Sequence, residues 1–108
     1  MYLYHGGTEV IEKPKVRIAN RPVDFGDGFY TTSDFEQASN FAKLRADFRK
    51  VDFGIVNSYE IDEKFFANFS VLKFENPSEE WFDFVIYAFF NKDLVSNLKF
   101  IKYAEVKK

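Results

Sequence analysis

The sequence predicts an α+β domain built on a small, curved or split, mainly antiparallel sheet with two helices packed on it. Three observations carry that expectation. Short β-type runs occupy both ends and the middle of the chain, a capped helical pattern occupies residues 33–49, and a second helical stripe runs through residues 81–89. Strand and helix patterns do not alternate regularly, which argues against a doubly wound parallel sheet. At 108 residues the chain fits one domain, 1–108, with one core.

Tyr2-Leu3-Tyr4-His5 reads as a first strand ended by Gly6-Gly7, where the chain opens into a loop. Thr8 to Val23 carries Pro14, Pro22 and scattered charge without a sustained period, so a long loop is expected, with Ile11 and Val16 tacked to the core. Asp24-Phe25-Gly26-Asp27-Gly28-Phe29-Tyr30-Thr31-Thr32 is a glycine-punctuated turn entering a short strand, on which Phe29 and Tyr30 point to opposite faces. A helix follows without a linker. Ser33 can cap it and Glu36 completes a capping box, while Phe35, Ala38, Phe41, Ala42 and Leu44 form an apolar stripe over roughly Asp34 to Arg49. Its small alanines allow close approach to whatever the helix covers.

Residues 54–62 alternate Ile55, Asn57, Tyr59 and Ile61 against Val56, Ser58, Glu60 and Asp62, the pattern of a half-buried strand. Ser70 to Glu75 is a further strand. Asn76-Pro77-Ser78-Glu79-Glu80 reads as a helix entry, and Trp81, Phe84, Val85, Ala88 and Phe89 then fall at helical spacing. Leu98 to Val106 closes the chain as a last strand.

Composition narrows the function classes. With 15 Phe, 6 Tyr and 1 Trp, large rings fill the core. Lys and Arg number 15 against 17 Asp and Glu, a net charge of -2 without a like-charged block, so nucleic acid is disfavoured as a partner. Having no Cys and one His, the sequence can supply neither a thiolate nor a polyhistidine metal site, and a cytoplasmic protein with no membrane segment is the expectation. His5 is the candidate site residue that the strand pattern suggests, because strand ends beside glycines are where open folds place ligands.

The order of these pieces carries a resemblance. A strand ending Tyr4-His5-Gly6, a long loop, then Phe25-Gly26-Asp27-Gly28-Phe29-Tyr30-Thr31-Thr32 leading into Glu36-Gln37-Ala38-Ser39-Asn40-Phe41-Ala42 resembles the first two motifs of the ADP-ribosyltransferase superfamily. More narrowly, Asp24 to Thr32, Val56-Asn57-Ser58-Tyr59-Glu60-Ile61-Asp62 and Glu79-Glu80-Trp81-Phe82-Asp83-Phe84-Val85 resemble the bacterial DUF3990 family, thought to belong to the same superfamily. The resemblance implies a shortened ADP-ribosyltransferase-like fold with NAD as substrate. It gives Tyr30 the part of the aromatic that stacks on nicotinamide, His5 a hydrogen bond to a ribose hydroxyl, and Gly6 a backbone grip on the carboxamide. Gly28, Phe29 and Thr31 belong to the same cofactor-binding stretch, with Thr32 beside them, and Arg21 or Arg17 is placed to pair with the diphosphate.

The chain departs from the superfamily at its third motif, where a late-strand carboxylate binds the ribose 2′-hydroxyl and stabilises developing positive charge. Glu79, Glu80, Asp83 and Glu60 are the carboxylates available to substitute, with Glu80 the choice. The implied activity is mono-ADP-ribosyl transfer to a macromolecule, most readily a protein. The alternatives are a degenerate relative acting as a nucleotide-binding or inhibitory module, and an NAD glycohydrolase using water as acceptor.

Overall fold

A computed structural model describes residues 1–15, 29–64, 72–77, 83–89 and 95–108. The described elements are β1 (Tyr2–Gly7), β2 (Phe29–Thr32), α1 (Phe35–Arg49), β3 (Phe53–Glu60), β4 (Leu72–Pro77), β5 (Asp83–Phe89) and β6 (Lys99–Lys107). The strands form one six-stranded sheet in the order β4-β5-β2-β1-β3-β6, and every pairing is antiparallel. The sheet is continuous rather than split, and α1 covers one face of its β1–β3 region.

Helix α1 starts where the sequence places it, but its cap is Asp34 rather than Ser33. The Asp34 carboxylate accepts from the Glu36 N–H at 2.9 Å and the Gln37 N–H at 3.4 Å. Both residues are good caps; the one with extended backbone immediately before the first turn takes the role. At the other end Lys50 adopts φ 58°, and its N–H bonds back to the Ala46 and Asp47 carbonyls. Asp34→Ala should cost about 1 kcal/mol in chemical denaturation by orphaning first-turn donors; an unchanged midpoint would remove the cap from the account.

The buried side of α1 is made of small residues, Ala38, Ser39, Ala42 and Ala46, not the full predicted stripe; Leu44 is 67 % and Phe48 56 % exposed. The reason lies in the facing strands. Strand β1 does not end at Gly6 but runs through Gly7, and a Cβ at Gly6 would lie 2.3 Å from the Ala38 carbonyl oxygen. A Cβ at Gly54 of β3 would lie 2.4 Å from the Ala42 carbonyl oxygen. Two glycines and a row of alanines thus bring helix and sheet backbones together, leaving large side chains no place between them. Tyr4 and Val106 flank this small-residue seam.

The main apolar cluster lies on the opposite sheet face: Leu3, Phe29, Tyr59, Ile61 and Phe89, closed by Val95 and Leu98, with Ile11 and Phe100 packed against it. Accordingly β3 is buried on both faces from Gly54 through Tyr59, not half-buried as its alternation suggests. The expected second helix is corrected where it can be seen. Residues 83–89 form β5, paired to β2 from Phe29↔Phe89 to Thr32↔Ile86 and to β4 on its other side. Phe84 to Phe89 is an unbroken apolar run, which satisfies helical spacing trivially and suits a strand with neighbours on both sides. Of the expected helix entry at 76–80, Asn76 and Pro77 belong to β4 and pair with β5, and 78–80 lie outside the described residues.

Candidate functional site

Register decides which side chains meet. Tyr4 opposes Thr32 across β1–β2, so the next positions, His5 and Thr31, share the face away from α1. Across β1–β3 His5 opposes Asn57, across β3–β6 Asn57 opposes Tyr103, and across β2–β5 Thr31 opposes Tyr87. A polar row, Tyr87–Thr31–His5–Asn57–Tyr103, therefore crosses five strands next to the apolar cluster.

His5 stands at its centre. Its Nδ1 lies 2.8 Å from the Tyr30 carbonyl oxygen, and since a carbonyl only accepts, Nδ1 carries the proton and donates. In the neutral ring that fixes Nε2 as the nitrogen with the lone pair. The imidazole lies flat on Phe29, with ring centroids 4.3 Å apart at 19°, and its Nε2 edge lies over Gly7. Phe29 in turn meets Tyr59 edge-on at 5.8 Å. Thr31 is buried and donates its hydroxyl to the Tyr87 carbonyl at 3.0 Å.

Of the predicted site residues, His5, Phe29 and Thr31 come together on this face. Tyr30 does not join them. Alternation along β2 turns its side chain toward α1 with Thr32 and Tyr4, so the two rings given nicotinamide and ribose lie on opposite faces, and the imidazole meets the Tyr30 backbone instead. Gly6 is in the β1 ladder, its helix side closed by Ala38. Glu60 ends β3 and is exposed. Gly28, Arg21, Arg17, Glu79 and Glu80 lie outside the described residues. Among those described, no group of three or more acidic or histidine side chains is arranged to hold a metal ion, and no helix is long and apolar enough to cross a membrane.

Sequence reasoning passed over Asn57 and Tyr59, although it placed both on one strand face. Asn57 is fully buried; its Oδ1 accepts from the Ile11 N–H at 3.0 Å and its Nδ2 donates to the Glu9 carbonyl at 2.9 Å. Tyr59 donates its hydroxyl to the Ile11 carbonyl at 2.5 Å, and burial pushes the phenol well above its ordinary pKa, so it remains a donor. The available signal was an asparagine inside an apolar strand, which must find partners for both ends of its amide.

No curated protein matches this chain. No solved structure matches it. The family model described as "Protein of unknown function (DUF3990)" matches residues 1–103, nearly the whole sheet and all of α1, and the chain belongs to that family.

Proposed function

We propose that this protein is an NAD-dependent mono-ADP-ribosyltransferase whose substrate enters at the His5 end of the β1–β2 pair. The observation that supports it is the hydrogen bond from His5 of β1 to the Tyr30 backbone of β2, 25 positions away, which draws together the two stretches resembling the superfamily's first two motifs. With Nδ1 the donor to Tyr30, Nε2 is the acceptor nitrogen of the neutral ring, and the resemblance assigns it the ribose hydroxyl.

In the reaction the bond between the nicotinamide nitrogen and ribose C1′ breaks, and its electron pair leaves with nicotinamide. An acceptor atom on the target forms the new bond to C1′ with its lone pair and releases its proton to water. Positive charge builds on the ribose between those events, and Glu80 is the carboxylate assigned to stabilise it. Arg21 pairs with the diphosphate and Gly28 lets the chain approach it. A protein in the cytoplasm is the target class this reading favours.

The orientation of Tyr30 favours a second reading. With its ring on the α1 side, it is not beside His5 to complete a stacking wall, and a nucleotide-binding or inhibitory module without turnover needs no such wall. Incubation with labelled NAD and lysate separates the cases. Label on a macromolecule supports transfer, free nicotinamide without transfer supports a glycohydrolase, and binding without either supports the module. For the transferase, His5→Ala should weaken NAD binding about fivefold, the value of one hydrogen bond, measured on folded protein because the change also removes the bond to Tyr30 and the stacking on Phe29. Glu80→Gln should abolish turnover while binding persists. Full activity in both variants would refute the residue assignments.

A further inference from the structure

Residues 9–11 lie against Asn57, the β3 member of the polar row, held there by side-chain hydrogen bonds. We infer that Asn57 and Tyr59 are positioning residues for the His5 site, holding this strap so that it sets the packing of the Phe29–His5 ring pair. The inference rests on the reading of His5 as part of a nucleotide site.

The Asn57 amide substitutes for a missing neighbouring strand. It accepts the Ile11 N–H and donates to the Glu9 carbonyl, a donor and an acceptor two residues apart, much as a ladder would use them. Its orientation is determined: a flipped amide would set donor against donor and acceptor against acceptor in a fully buried side chain. Tyr59, two positions along the same face, takes the Ile11 carbonyl, so both backbone groups of Ile11 belong to side chains of β3. The Ile11 side chain packs on the cluster that contains Phe29 and Tyr59, and Phe29 is the ring stacked on His5. Asn57 is itself the cross-strand partner of His5. Strap, Phe29 and imidazole therefore form one contiguous packed unit whose fixed end is β3.

Two variants test this without removing a ring from the core. Tyr59→Phe deletes only the hydroxyl. Asn57→Asp keeps an acceptor for the Ile11 N–H but sets a carboxylate oxygen against the Glu9 carbonyl. In each, the Ile11 amide should exchange about tenfold faster than in the parent, relative to the core amide of Val56. The His5 ring Cε1–H resonance should also move, and NAD should bind about fivefold more weakly. His5→Ala serves as the control: NAD affinity should fall while Ile11 exchange stays at the parent rate. A strap that is merely structural would give faster Ile11 exchange with the His5 resonance in place, and that result overturns the inference. Unchanged Ile11 exchange in both variants overturns it as well. If the parent binds no NAD, the nucleotide reading of the site fails, while the His5 resonance still decides whether the clamp governs the imidazole.

Discussion

Gly54→Ala is expected to destabilise the fold by about 3 kcal/mol or more, at or beyond the upper end of overpacking costs. The methyl group would fall 2.4 Å from the Ala42 carbonyl oxygen, 2.6 Å from its carbonyl carbon and 2.8 Å from its Cβ. None of these is the tip of a flexible side chain, so α1 must lift away as a body. Gly6→Ala meets the Ala38 carbonyl oxygen at 2.3 Å and should behave alike. Because both substitutions push the same helix, the double variant should lose less than the sum of the singles, as the second methyl enters a gap opened by the first. Gly7→Ala supplies the contrast: its nearest neighbour is His5 Nε2 at 3.6 Å, an ordinary contact, and its stability should stay within about 0.5 kcal/mol of the parent. Urea unfolding of the four variants checks the series. A Gly54→Ala protein as stable as Gly7→Ala would mean that helix and sheet are not held at this distance.

That seam was half legible in the sequence. The spacing of Ala38 and Ala42 announces a helix that packs closely, but nothing local says that Gly6 and Gly54, on different strands, are what it packs against. Gly6-Gly7 reads as a strand end because glycine weakens strands; tertiary contact with α1 overrides that cost. The β5 miss has a different origin. A window apolar at nearly every position carries no period, so Phe84 to Phe89 could satisfy the helical template until pairing with β2 and β4 settled the matter. The capping-box spacing to Glu36 singled out Ser33, whereas its neighbour Asp34, of equal capping preference, takes the role.

The opposite facing of Phe29 and Tyr30 follows from local pattern. His5, read from Gly6-Gly7 as a strand mouth, instead lies inside β1, whose ladder with β3 continues through Gly7. Whether His5 shares a face with Phe29 or with Tyr30 depends on the Tyr4↔Thr32 register, a relation between segments 28 positions apart that alternation within either strand cannot fix. The strap is the same case. Ile11 was expected to be tacked to the core, yet the means, an amide and a phenol from β3, appear only when the loop has a place to lie.

Tyr59→Ala should be the most damaging truncation in the apolar cluster. The ring is fully buried and meets Phe29 at 5.8 Å and Phe100 at 5.9 Å, both edge-on. Emptying that volume costs about 3 to 5 kcal/mol by the cavity term. The Ile11 carbonyl then loses its donor as well, adding about 1 kcal/mol. Tyr59→Phe isolates the second contribution, since the ring stays, and should lose about 1 kcal/mol. Alkaline pH gives an independent reading of the same phenol. Its folded pKa is raised by burial, so its contribution is fully present below the unfolded value of about 10 and is lost as pH rises beyond it, because the unfolded chain releases the proton first. Parent stability should therefore decline above that pH more steeply than that of Tyr59→Phe, by about 1.4 kcal/mol per pH unit while the folded phenol stays protonated. Parallel alkaline declines for the two proteins, together with a mild Tyr59→Ala, would place Tyr59 at the edge of the core and leave the strap to Asn57 alone.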